Sequence, residues 1–175
     1  VTGGGAGTQL AADASAKGLK AGSNVVIGGG TVTLDSADDA IHSDSVVSIT
    51  DGTLALSSGD DGVHAGESLS IAGGSVTVER SYEGLEGTDI LISGGEIDVT
   101  SSDDGLNVSA DTASAGAGGR GGGMQTIDGG VVVSGGTTVL HAGGDGFDSN
   151  GDAEITGGTI VVWGTTSNGN GALDV

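Results

Sequence analysis

The sequence contains no cysteine and no proline, and only one phenylalanine, one tryptophan and one tyrosine. Without cysteine there are no disulfides and no thiolate metal sites, which leaves the compartment open. With so few aromatics, a compact domain built around one large core is not expected, because such residues supply much of a globular interior. Basic residues are nearly missing: Lys17, Lys20, Arg80 and Arg120 face 24 acids, for a net charge of −20. Nucleic acid and anionic membranes need basic surfaces and are excluded as partners. Cationic partners remain, as do polyanions bridged by a divalent ion. No apolar run is long enough to span a bilayer, so membrane insertion is not expected. The chain opens on Val1 without a signal-peptide pattern, which reads as a mature chain or a fragment.

What is present is rhythm. Gly accounts for 39 of the 175 residues, and the 35% of apolar residues come in short bursts. Disorder has few β-branched residues and no such regularity. One motif reads apolar-x-apolar-x-Gly-Gly-x-apolar-x-apolar. It places Ile27, Ile49, Ile71, Ile92, Val133 and Ile155 in one slot, at steps of 22, 22, 21, 41 and 22 residues. The long step is one repeat plus a Gly-rich insertion at about 110–124.

Aligned on this slot, the repeats give apolar columns. One runs Val25, Val47, Leu69, Ile90, Val131, Ala153 and another Val32, Leu54, Val76, Ile97, Thr138, Ile160. Within a burst, apolar and other residues alternate, the period of a strand. Gly-Gly falls where the chain needs a corner. No repeat can bury its apolar face alone, so stacking must create the core. The expected fold is all-β: a right-handed parallel β-helix of six to seven rungs of about 22 residues, forming one domain over 1–175. The final stretch Gly171–Val175 starts a further rung, so either more residues follow or the rung stacks on another chain.

A second motif pairs acids with a small, an apolar and a polar residue. Its copies are Asp38-Asp39-Ala40-Ile41-His42, Asp60-Asp61-Gly62-Val63-His64, Tyr82-Glu83-Gly84-Leu85-Glu86, Asp103-Asp104-Gly105-Leu106-Asn107 and Gly144-Asp145-Gly146-Phe147-Asp148. Stacked in register, adjacent carboxylates lie about 5 Å apart and repel by about 0.9 kcal/mol each in water. A purely structural role does not require that cost, and calcium removes it. Calcium takes six to eight oxygens at about 2.3–2.6 Å, so one ion spans about one rung. The expected ligands are Asp38, Asp39, Asp60, Asp61, Glu83, Asp103, Asp104, Asp145 and Asp148. Gly143–Gly151 nearly matches a calcium-binding nonapeptide, but it occurs once. His42 and His64 share a column with Glu86; zinc is one reading, polar residues on a hydrated face the favoured one. Threonine columns such as Thr31, Thr53, Thr137 and Thr159 suggest an ice-binding face, but Glu96 and Asp98 interrupt them.

Residues 133–174, with Gly144-Asp145-Gly146-Phe147-Asp148-Ser149-Asn150-Gly151 at their centre, resemble the carbohydrate-binding parallel β-helix proteins described from cellulolytic clostridia. The Asp-Asp-Gly-apolar-His copies do too, and the resemblance covers nearly the whole chain. It implies a polysaccharide-lyase-like β-helix with bound calcium that binds cellulose and pectic polymers without established catalysis. Aromatic platforms are few, so an acidic pectin-like polymer is favoured over cellulose. Tyr82, Arg80 and the outward-pointing Trp163 are the expected sugar contacts. The reading is a secreted, extracellular, non-catalytic polysaccharide binder. The alternatives are a solenoid stacking end to end into a filament and, lower, a calcium-dependent lyase using Arg80.

Overall fold

The computed structural model describes residues 2–11, 14–110, 126–165 and 169–175. Apart from Ala110, the insertion expected at 110–124 lies outside them, as does Arg120. No helix occurs among the described residues. In chain order the strands are β1 (Thr2–Gly3), β2 (Leu19–Ala21), β3 (Asn24–Ser36), β4 (Ile41–Ser43), β5 (Val46–Ser58), β6 (Val63–Ile71), β7 (Ser75–Ser81) and β8 (Leu85–Ile92). They continue as β9 (Glu96–Ser101), β10 (Leu106–Val108), β11 (Gly130–Val133), β12 (Thr137–Ala142), β13 (Phe147–Ser149), β14 (Asp152–Ile155), β15 (Thr159–Gly164) and β16 (Leu173–Asp174).

Three parallel ladders join them into a β-solenoid. The first stacks β2, β4, β6, β8, β10, β13 and β16. The second stacks β3, β5, β6, β8, β11 and β14. The third stacks β3, β5, β7, β9, β12 and β15. Equivalent residues sit on neighbouring rungs: Val25 pairs with Val47, Val47 with Leu69, Leu69 with Ile90, and Ile90 with Val131. The 41-residue step keeps this register, since Val131 returns directly beside Ile90.

The apolar columns form one continuous core. Leu54, Leu56, Ile49, Leu69, Ile71, Ile90, Ile92 and Leu106 are fully buried. Each such side chain contributes about 1.5–3 kcal/mol by leaving water. At the ends of the stack the same columns are open, with Leu19, Ile155 and Leu173 exposed. The corners need glycine for two reasons. Gly74 turns with φ +84°, a conformation that side chains disfavour. Gly62 is instead a matter of space: a Cβ there would lie 2.6 Å from the Gly84 carbonyl oxygen and 2.7 Å from Val78 Cγ1.

One inward column has no apolar signature. Ser36, Ser58, Ser81 and Ser101 are buried just before the acidic corner. Ser58 and Ser101 hydroxyls donate to the carbonyls of Asp60 and Asp103, each at 3.1 Å. These two bonds satisfy the Ser58 and Ser101 hydroxyls and tie the ends of their strands to the corner, whereas the Ser81 hydroxyl donates to Thr100 O at 3.3 Å and that of Ser36 is buried without a partner among the described residues.

Candidate functional site

The acidic motif occupies the corner that leads into the first ladder. Backbone pairing continues through its small third residue: Gly62 N–H donates to Glu83 O at 3.0 Å, and Gly105 N–H to Asp145 O at 2.9 Å. The N–H of the second residue faces the opposite way and meets a side chain. Asp61 N–H donates to Asp39 Oδ1 at 3.2 Å, Asp145 N–H to Asp104 Oδ1 at 2.6 Å, and Gly171 N–H to Asp145 Oδ1 at 2.5 Å. The carboxylate line therefore has a structural duty in addition to the metal-binding one expected of it. One oxygen of Asp39, Asp104 and Asp145 stitches its rung to the next, and a buried N–H left unmet would be costly. Consistent with that duty, Asp39, Asp61, Asp104 and Asp145 are all buried.

Upstream of Tyr82, the chain supplies its own cations. Lys17 Nζ hydrogen-bonds Asp39 and lies 3.4 Å from Asp38 Oδ2. His42 Nδ1 is 2.7 Å from Asp39 Oδ2, and its Nε2 is 2.9 Å from Asp44 Oδ1. His64 Nδ1 is 2.7 Å from Glu86 Oε2 and 3.2 Å from Asp61 Oδ2. The two imidazoles stack with centroids 4.6 Å apart and planes 6° apart. His42 is only 9% exposed, so the hydrated-face expectation fails at His42, while Lys20 and Asp174 at the ends of the column are exposed. Stacking between rungs and flanking carboxylates enclose the rings.

The titration directions follow from these partners. Burial works against charge on His64, but bonds to Asp61 and Glu86 outweigh it and hold the imidazole up at about 11. Burial would raise Asp39, yet His42 and Lys17 hold it at about 2. Glu86, also buried, is held at about 2 by His64 and by a shared hydrogen bond with Asp61. Asp61 goes up, through burial and the nearby charges of Glu86 and Asp39.

Downstream, the corner has acids alone. Glu83, Asp103 and Asp104 bring oxygens within 4.8 Å of one another, and so do Asp104, Asp145 and Asp148. Among the described residues no lysine, arginine or histidine forms an ion pair with any of these five. Asn107 Nδ2 donates to Glu83 Oε2 at 2.5 Å, a neutral partner. Burial and neighbouring negative charge push Glu83 up to about 8 and Asp104 up to about 7. Asp148 is raised for the same reasons. Gly144 borders this set, and a Cβ there would collide with Oδ1 of both Asp103 and Asp104. Glycine here lets the two carboxylates close directly against the backbone.

The expected ligands thus divide. Asp38, Asp39 and Asp60 form a further triad, but Lys17 already lies against two of its members. Asp61 groups with His64 and Glu86, and Asp39 with His42 and His64. These nitrogen-containing groups have geometry for a metal, but their Nδ1 atoms already meet carboxylates. Glu83, Asp103, Asp104, Asp145 and Asp148 fit a hard divalent cation best: all donors are oxygens, and no basic side chain among the described residues pairs with them.

The expected sugar contacts also divide. Arg80 and Tyr82 line one concavity of about 270 Å³ with Thr100 and Ser102. Arg80 also borders a larger groove of about 770 Å³ beside Asp38 and Asp60, beneath residues 6–11. Trp163 lies apart on the third ladder, 60% exposed, with its ring 6.4 Å from that of His141 and 10° from parallel. His141 carried no sequence signal, because its neighbour is 22 residues away and only the register joins them.

Family comparison bears directly on what this surface serves. A family model described as carbohydrate-binding domain-containing protein matches residues 1–62 and 60–173. The chain belongs to this family. The clostridial resemblance seen in residues 133–174 and the parallel β-solenoid agree with that membership. No curated protein and no solved structure matches significantly. Membership supports polysaccharide binding by a non-catalytic module in general terms.

Proposed function

We propose that this protein is an extracellular, calcium-assisted binder of acidic, pectin-like polysaccharide. The supporting observation is the pair of carboxylate triads that share Asp104 and have no cation among the described residues. Calcium there would neutralise charge that burial makes costly, and its remaining coordination positions would accept uronate oxygens. A chain of charge −20 would otherwise repel a polyuronate, so a divalent bridge is the direct way to join them. Such polymers lie outside cells, which is why a secreted location belongs to the same reading.

The test is co-sedimentation and calorimetry with polygalacturonate and cellulose, with calcium and with chelator. Binding to polygalacturonate in calcium, lost in chelator and in the Asp104→Asn, Asp145→Asn double variant, is expected. Gly144→Ala removes no carboxylate yet should block the ion. Equal binding with and without calcium would sink the bridged reading. Unsaturated product absorbing in the ultraviolet, lost in Arg80→Ala, would replace the non-catalytic reading with a lyase.

A further inference from the structure

The third ladder sets Arg80, Thr100, His141 and Trp163 side by side on its outer face. His141 pairs with Thr100 on one side and Trp163 on the other. A bulge between Val78 and Ser81 sets both Glu79 and Arg80 against Thr100, and Arg80 and Thr100 line the same concavity. All four are exposed. Three rung steps of about 4.8 Å separate Arg80 from Trp163, so the row is roughly 14 Å long and parallel to the solenoid axis.

We propose that this row is a second, calcium-independent glycan subsite, in which a uronate-containing chain lies along the axis with one pyranose face on Trp163 and a carboxylate at Arg80. The proposal rests on the polysaccharide-binding reading and adds where, how and in which direction the chain lies.

Three observations carry it. Trp163 is the only tryptophan, and it is spent on an exposed face rather than in the core. Its parallel stack against His141 fixes the tilt of the indole and covers one of its faces, leaving the other to a sugar ring. Arg80 forms no ion pair among the described residues, and guanidinium suits a carboxylate by its planar fork. Thr100 and His141 lie between them and offer hydroxyl and imidazole groups to intervening sugars. Of the nearby exposed acids, Glu96 and Asp98 lie earlier in their strands, outside this row, and Glu79 beside Arg80 accepts a hydrogen bond from Ser57 Oγ at 3.3 Å.

Because Trp163 is the single tryptophan, its fluorescence reports on this row alone. Titration of the full chain with oligogalacturonate in chelator should shift or quench the emission. Trp163→Ala should weaken binding in chelator roughly tenfold, and Arg80→Ala comparably, with loss of its salt dependence. Both variants should keep calcium binding, which also shows that they are folded. No fluorescence change in chelator, or wild-type affinity in Trp163→Ala, overturns the subsite. Equal response to cello-oligosaccharide, unchanged in Arg80→Ala, overturns the assignment of the carboxylate. If calcium-dependent polygalacturonate binding persists in those cases, only this row is refuted. If it is absent too, the polysaccharide reading falls with it.

Discussion

Rungs on the two sides of Tyr82 repeat one acidic corner but treat its charge in opposite ways. Upstream, Lys17, His42 and His64 are interleaved with Asp38, Asp39 and Asp61, and His64 also reaches Glu86 on the Tyr82 rung. Downstream, Glu83, Asp103, Asp104, Asp145 and Asp148 face one another with no such partners among the described residues. Backbone geometry is the same in both halves, since Asp39 and Asp104 each accept the N–H one rung on. The difference teaches that the aspartate column is structural and that the compensating cation is a separate choice. One half carries cations in its sequence; the other half is the one proposed to take one from solution.

The comparison breaks most sharply at His64. Replacing it with alanine leaves Asp61 and Glu86 buried against each other, and should cost about 3 kcal/mol in urea unfolding. A variant as stable as the parent would mean that the imidazole is not what compensates the upstream acids. Calcium tests the other half with a similar magnitude. At a hundredfold excess over its dissociation constant it should add about 2.7 kcal/mol, read by scanning calorimetry. That gain should survive Asp38→Asn with Asp60→Asn and vanish in Asp104→Asn with Asp145→Asn; the reverse pattern would place the ion upstream.

Acidity separates the halves in a more graded way. Glu83 and Asp104, held up at about 8 and about 7, keep protons that the unfolded chain releases near its ordinary values of 4.5 and 3.8. Without calcium they therefore make stability fall as pH rises from about 4 to about 8. Upstream the signs differ. Asp39 and Glu86, held at about 2, stabilise above their ordinary values, and that contribution is lost as pH drops towards 2. His64, held at about 11, stabilises fully below 6.5 and loses this as pH climbs through 11. Urea midpoints in chelator should decline between pH 5 and 8, and calcium should flatten that decline. The smallest effect on stability is expected from Lys17→Gln, about 1 kcal/mol. It sharpens the contrast in another way: with the ammonium gone, Asp38, Asp39 and Asp60 should take up one additional calcium equivalent by calorimetry.

Much of the fold was legible because its columns are local and repeated. Val25, Val47, Leu69 and Ile90 announce themselves by a 22-residue step, and they do stack in that order. Ser36, Ser58, Ser81 and Ser101 escaped notice because a serine reads as outward, and only the corner turns it in. The candidate site was half legible. The nine acids stood out, yet nothing in their spacing distinguished Asp39, which Lys17 neutralises, from Asp104, which pairs with no basic side chain among the described residues.

The sequence alone determined the parallel β-solenoid, its rung length and its acidic edge, because a period written into one chain forces equal residues into register. Tertiary structure decided what that edge does. Charge compensation, the N–H bonds to Asp39 and Asp104, and the pairing of His141 with Trp163 all depend on side chains about 5 Å apart in space but some 22 to 41 residues apart in sequence. Electrostatic and stacking energies follow the first distance, not the second.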